Sequence, residues 1–129
     1  MGAYNVGQII SADVTTDDAE AMRDFYTKVI GWDSEDMKIT DERDTYTDYV
    51  MKDSAGNWTG GICHRRGVNK DLPPVWLVYI NVEDIEASCK ICEENGGKVL
   101  HRSYGEKGNI LYAVIQDPAG AILAITKEA

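Results

Sequence analysis

The residues best equipped for chemistry gather around Cys63-His64-Arg65-Arg66, which sets a thiol, an imidazole and two guanidinium groups side by side. Imidazole titrates near neutral pH, so His64 is a candidate acid or base. The two arginines suit an anionic group at the mouth of a site, or balance the charge of an acidic chain. Asp13 is a second candidate base, provided that apolar neighbours raise its pKa. Tyr79, Tyr112, Tyr49 and Trp58 combine flat apolar bodies with hydrogen-bonding tips, the chemistry of pockets for planar or amphipathic ligands. Cys89-x-x-Cys92 has the spacing of a redox or zinc pair, but it falls on the apolar stripe of a helical segment that begins at Ile85, where thiols serve as core packing. His101 sits beside Arg102 and Ser103 in a polar stretch and reads as surface.

These side chains need a scaffold, and the chain describes it twice. Lys52-Asp53-Ser54-Ala55-Gly56 is echoed 64 residues later by Gln116-Asp117-Pro118-Ala119-Gly120. Each turn follows a β-rich run, Tyr46 to Met51 or Ile110 to Ile115, and precedes another, Trp58 to His64 or Ala121 to Thr126. Each half opens with an alternating strand and continues into an amphipathic helix that ends at a glycine, Gly31 or Gly96. Thr16 or Asp17 is placed to cap the first helix, and Asp84 or Glu83 the second. The repeat predicts two tandem βαβββ modules, about residues 5–66 and 74–128, in a single α+β domain.

Alternation sorts the strand residues by face. Ser11 and Asp13 share one face of the first strand, and Trp58, Gly60, Ile62 and His64 share one face of another. In Val75 to Val82, Leu77, Tyr79 and Asn81 oppose the apolar Trp76, Val78, Ile80 and Val82. Gly67 to Pro74 links the modules, and Asp33 to Asp48 reads as a solvated acidic meander without a functional role.

Composition removes several classes of function. With 13 Lys and Arg against 22 Asp and Glu, the net charge of −9 repels phosphate backbones and anionic lipid, so neither nucleic acid nor a membrane surface is an expected partner. No run is apolar for the roughly 20 residues of a membrane span. Three cysteines cannot all pair within the chain, and no leader-like pattern precedes Val6, so a reduced cytoplasmic setting is expected.

The tandem βαβββ pattern, Asp24-Phe25-Tyr26 leading to Gly31-Trp32, the run Trp76 to Asp84, and the Ala113 to Gly120 turn together resemble the vicinal oxygen chelate superfamily, which includes glyoxalases, bleomycin-resistance proteins and extradiol dioxygenases. The resemblance spans essentially the whole chain. It implies a cupped mixed sheet enclosing a cleft, helices on the convex side, a small-molecule ligand and a homodimer. Enzymatic members hold a divalent metal through His, Gln or Glu on the cleft-facing positions of the first and last strand of each module. Those positions fall here at Ser11, Gly60, Leu77 and Ala124. None of them can hold a catalytic metal.

The sequence therefore predicts a metal-independent small-molecule-binding protein with no cofactor. Ser11, Asp13, Trp58, Gly60, Ile62 and His64 from the first module are its expected ligand-lining residues, with Leu77, Tyr79, Tyr112 and Ala124 from the second. The alternative is a glyoxalase-like lyase or isomerase, either metal-dependent or using Asp13, His64 and Tyr79 for acid-base steps.

Overall fold

A computed structural model describes residues 4–40, 44–66 and 69–128. Residues 41–43 of the acidic stretch, and Gly67 and Val68 of the linker, lie outside the described residues. The elements run β1 (Ile9–Thr16), α1 (Ala19–Ile30), β2 (Asp33–Thr40), β3 (Thr45–Lys52), β4 (Trp58–His64), β5 (Trp76–Asn81), α2 (Ile85–Glu94), β6 (Lys98–Tyr104), β7 (Ile110–Gln116) and β8 (Ile122–Thr126). This is an α+β fold of mixed sheet in which βαβββ occurs twice. The chain forms two compact units, Ala12–Trp76 and Leu77 onward, the latter joined by the N-terminal stretch through Ser11.

In the first unit the strand order is β2-β3-β4-β1, with β1 and β4 parallel and the other pairs antiparallel. One face packs on α1, where Val14, Ala19, Tyr49, Met51 and Ile62 form a buried cluster joined by Met22, Tyr26, Trp32 and Trp76. Met22 and Tyr26 are spaced four apart, so α1 turns one stripe to the sheet. Its N-cap is Asp18, whose carboxylate accepts from Ala21 N at 3.0 Å, rather than Thr16 or Asp17. The shift has a simple cause: β1 runs on through Thr16, whose carbonyl accepts from Arg65 N at 2.9 Å. Gly31 ends the helix at φ 90°, a left-handed conformation that favours glycine.

The second unit has the order β5-β8-β7-β6, with β5 and β8 parallel. Asp84 caps α2 through Ala87 N at 3.0 Å. Ile85 and Cys89 pack from the helix onto Ala113 and Ile125, with Val82, Val99, Ile115 and Leu123 around them.

The backbone amides that bond each turn's aspartate are the same in both copies. Asp53 Oδ1 accepts from Ala55 N and Asn57 N, both at 2.9 Å, and Asp117 Oδ1 accepts from Ala119 N at 2.8 Å and Ala121 N at 3.0 Å. The modules differ just beyond these turns. In β7–β8 the ladder runs evenly from Gln116↔Ile122 to Ile115↔Leu123, whereas in β3–β4 it steps from Lys52↔Trp58 to Met51↔Gly60. Thr59 is thus one residue extra, a β-bulge that moves Gly60 to Cys63 to the opposite face relative to the module-two pattern, while the ring of His64, at the strand end, turns toward Asp48 and Tyr46.

Candidate functional site

Register decides which of the expected lining residues share a surface. In β1 and β4 the pairs are Asp13↔Gly61 and Val14↔Ile62. Val14 and Ile62 belong to the α1-side core, so Asp13 and Gly61 occupy the opposite face. The counterpart of Ala124 is therefore Gly61 and not Gly60, since Ala124 pairs with Tyr79 as Gly61 pairs with Asp13. Gly60 packs on the α1 side: a Cβ there would lie 2.8 Å from Ala12 O and 3.5 Å from the Trp76 ring. The expected grouping of Gly60 and Ile62 with Asp13 is corrected accordingly, and the bulge at Thr59 is the reason. Trp58, before the bulge, is 66% exposed, and Ser11 is exposed as well.

On the face opposite α1 the first unit gathers two carboxylates, a thiol and an imidazole. Asp48, 6% exposed, accepts from the His64 backbone N at 2.9 Å and lies 3.2 Å from His64 Nδ1. A carboxylate on Nδ1 orients the ring and favours the tautomer that leaves Nε2 as the proton acceptor. The Tyr46 ring meets the His64 ring edge-on at 5.8 Å, and the Arg66 guanidinium lies over the Tyr46 ring, 4.2 Å from its centroid. Burial pushes the Cys63 thiol well up, and the charges of Asp13 and Asp48 add to the effect, so it is a poor nucleophile. Sequence reasoning missed Asp48, which it placed in the solvated meander. The signal that could have found it is the 64-residue offset, which maps Asp48 onto Tyr112.

Arg65 is structural. It donates from Nε to Leu72 O at 3.0 Å, pairs with Asp17 at 2.5 Å and reaches Thr15 O, which ties the linker to the end of β1.

The second unit brings its four expected lining residues together. Tyr79 pairs with Ala124, Ala124 with Val114, and Tyr112 with Thr126, so all lie on the face opposite α2, with Leu77 two positions before Tyr79. Leu77, Val114 and Ala124 are buried and form the floor. Above them the half-buried rings of Tyr79 and Tyr112 meet edge to face at 5.7 Å. His101 continues the row, its ring 6.0 Å from Tyr112.

A metal needs several donors converging on one point. Among the described residues no three His, Cys, Asp or Glu side chains are arranged to hold one. The strand positions that the family resemblance assigns to ligands hold Ser11 and, once the bulge is counted, Gly61 in place of Gly60 in the first module, and Leu77 and Ala124 in the second. Glycine, leucine and alanine carry no donor, and a single serine hydroxyl does not hold a metal by itself. The donor set does not fit the metal centre of the family.

Comparison with known proteins agrees with this architecture. Residues 8–125 match the family model described as the Glyoxalase/Bleomycin resistance protein/Dioxygenase superfamily, and the chain belongs to that superfamily. A Mycobacterium tuberculosis protein named "Putative glyoxylase CFP32" is 28% identical over 125 residues, covering 95% of this chain and 46% of its own length. The Anthracycline biosynthesis protein DnrV of Streptomyces peucetius is 28% identical over 128 residues, covering 90% of this chain and 45% of its own length. The chain spans about half the length of the curated relatives it matches. Among solved structures, methylmalonyl-CoA epimerase of Streptomyces coelicolor superposes with a TM-score of 0.59 at 15% identity, over 97% of this chain and 99% of the other. At that identity the likeness concerns the fold alone. Among the described residues no helix is long and apolar enough to cross a membrane.

Proposed function

We propose that this superfamily member binds a flat, largely apolar small molecule without a metal, on the face of the β5–β8 unit that lies opposite α2. The observation that carries the reading is the convergence of Leu77, Tyr79, Tyr112 and Ala124 on that face, where two partly exposed aromatic rings stand over an apolar floor. Aromatic bodies supply contact area and their hydroxyls supply orientation. Absence of metal-type donors at the corresponding strand positions supports the metal-independent form. The relatives named for anthracycline biosynthesis are consistent with a planar ligand. A homodimer in a cytoplasmic setting completes the proposal, supported by the resemblance and by the free state of Cys63, Cys89 and Cys92.

A thermal-shift screen of planar aromatic compounds on chelator-treated protein tests this reading, because a ligand specific for the native state raises the midpoint by mass action. Hits that persist in chelator support it. About one Zn, Ni, Fe or Mn per chain after metal-free purification, retained in Cys89→Ser and Cys92→Ser variants and required for every hit, contradicts it.

One observation favours a second reading, a lyase or isomerase: the Asp48–His64 pair, with Asp13 on the same face, is the arrangement of an oriented general base. In that reading His64→Gln abolishes turnover of a substrate found by activity screening, and Tyr79 contributes to proton transfer or positioning. In the binding reading no turnover is found.

A further inference from the structure

On the same face of the β5–β8 unit, one buried imidazole nitrogen has no hydrogen-bond partner among the described residues. In β6 the register steps from Val99↔Ile115 to His101↔Val114, so Leu100 is an extra residue and His101 turns away from the α2 side, where Val99 packs. Its neighbour Arg102 reaches Glu86 of α2 at 3.9 Å, which fixes the two side chains on opposite faces. His101 is thereby brought beside Tyr112, and Nε2 of its ring is shielded from solvent and hydrogen-bonded by no group among the described residues. A buried polar atom left unpaired is destabilising, since the desolvation it has suffered is not repaid by any bond. Phenylalanine would fill the same space without that penalty, so the nitrogen is better explained by something that binds it than by packing.

Resting on the ligand face proposed above, we infer that His101 is its hydrogen-bonding anchor, engaged by a planar aromatic compound that carries a hydroxyl on its edge. The compound lies along the Tyr79 and Tyr112 rings, and rotation of the Tyr112 side chain exposes Nε2 to its hydroxyl. Such a rotation is a side-chain motion that leaves the strand in place. A hydroxyl both donates and accepts, so it satisfies either imidazole tautomer. The ligand class is thus narrowed from flat and apolar to flat, apolar and phenol-like.

Two probes of nearly equal shape test the inference on the full chain: 2-naphthol, and 2-methylnaphthalene, which makes no hydrogen bond. Fluorescence titration of both is compared between the wild type and His101→Phe, which keeps a flat ring and removes both nitrogens. The affinity ratio of 2-naphthol to 2-methylnaphthalene is expected to fall about tenfold in the variant, the size of one lost buried hydrogen bond. An unchanged ratio overturns the role of His101 while the aromatic face stands. Failure of both probes to bind the wild type overturns the planar-ligand reading and the anchor with it. If His101→Phe does not fold, the ¹⁵N resonance of His101 Nε2 in the wild type decides: it shifts with 2-naphthol and not with 2-methylnaphthalene, and a shift with neither or equally with both overturns the anchor.

Discussion

Adjacent glycines in β4 offer a sharp test of which face each strand residue occupies. A Cβ added at Gly60 would stand 2.8 Å from the carbonyl oxygen of Ala12, a backbone atom held in the neighbouring strand, and 3.5 Å from the Trp76 ring. Neither can yield without moving β1 or the aromatic cluster of Tyr26, Trp32 and Trp76, whose Trp76 Nε1 donates to Tyr26 Oη at 3.0 Å. Overpacking of this kind costs about 1–3 kcal/mol, partly offset by roughly 0.4–1 kcal/mol from the reduced freedom of the unfolded chain. A Cβ at Gly61 would meet Asp13 Oδ1 at 2.6 Å, which is closer, but that atom ends a rotatable side chain, and the nearest backbone oxygen, Tyr49 O, is 3.8 Å away. Gly61→Ala is therefore expected within about 1 kcal/mol of the wild type, and Gly60→Ala lower by about 1–2 kcal/mol. In a domain of this size that is a loss of roughly 4–8 °C in Tm for Gly60→Ala alone. Urea titration with matched m-values measures the difference. Equal losses, or a greater loss at Gly61, would refute both the face assignment and the bulge behind it.

Three further outcomes follow from individual contacts. Asp48→Ala leaves the His64 backbone N–H and Nδ1 without their acceptor and is expected to lower stability by about 1–3 kcal/mol in urea titration, with Asp48→Asn less damaging because its amide oxygen still accepts. Asn81→Ala removes the bonds from Nδ2 to Asn5 O at 3.1 Å and from Glu128 N to Oδ1 at 2.7 Å, so hydrogen exchange at Glu128 should quicken while the α2 core stays protected. In the first turn, the bonds that Asp53 accepts, those from Asn57 foremost, hold its carboxyl below the usual aspartate range. Because the folded value is the lower one, this stabilisation is present above the unfolded pKa of about 3.9 and disappears as pH falls through the folded value. A carboxyl ¹³C titration placing Asp53 at or above the ordinary value contradicts the turn geometry.

The parts of the fold legible in the sequence were those with a local cause. The Asp53 and Asp117 turns carry their own hydrogen bonds within five residues, and the alternation of β5 from Trp76 to Val82 sorts Leu77 and Tyr79 from the α2 side without help from any other strand. The bulges were not legible, because an extra residue in β4 or β6 is defined only by the partner strand. Trp58-Thr59-Gly60-Gly61 offers a hint in its paired glycines, which are common where a strand bends or another backbone approaches closely. Two of the bulges reverse a face: the one at Thr59 sends Gly60 and Ile62 to the α1 core, and the one at Leu100 turns His101 inward from the surface where composition placed it. Asp48 was hidden for another reason. Its acidic surroundings argue for solvent, and only the end of β4, sixteen residues away, supplies the partner that buries it.

The most direct test of the ligand face is a two-dimensional ¹H–¹⁵N spectrum of chelator-treated protein titrated with 2-naphthol. The account predicts saturable shifts at Tyr79, Tyr112, Val114 and Ala124, little change at Gly60, Ile62 and the solvent side of both helices, and the same affinity with or without added divalent metal. Shifts concentrated on the Asp13 and His64 face, or binding that appears only after metal is restored, would contradict it.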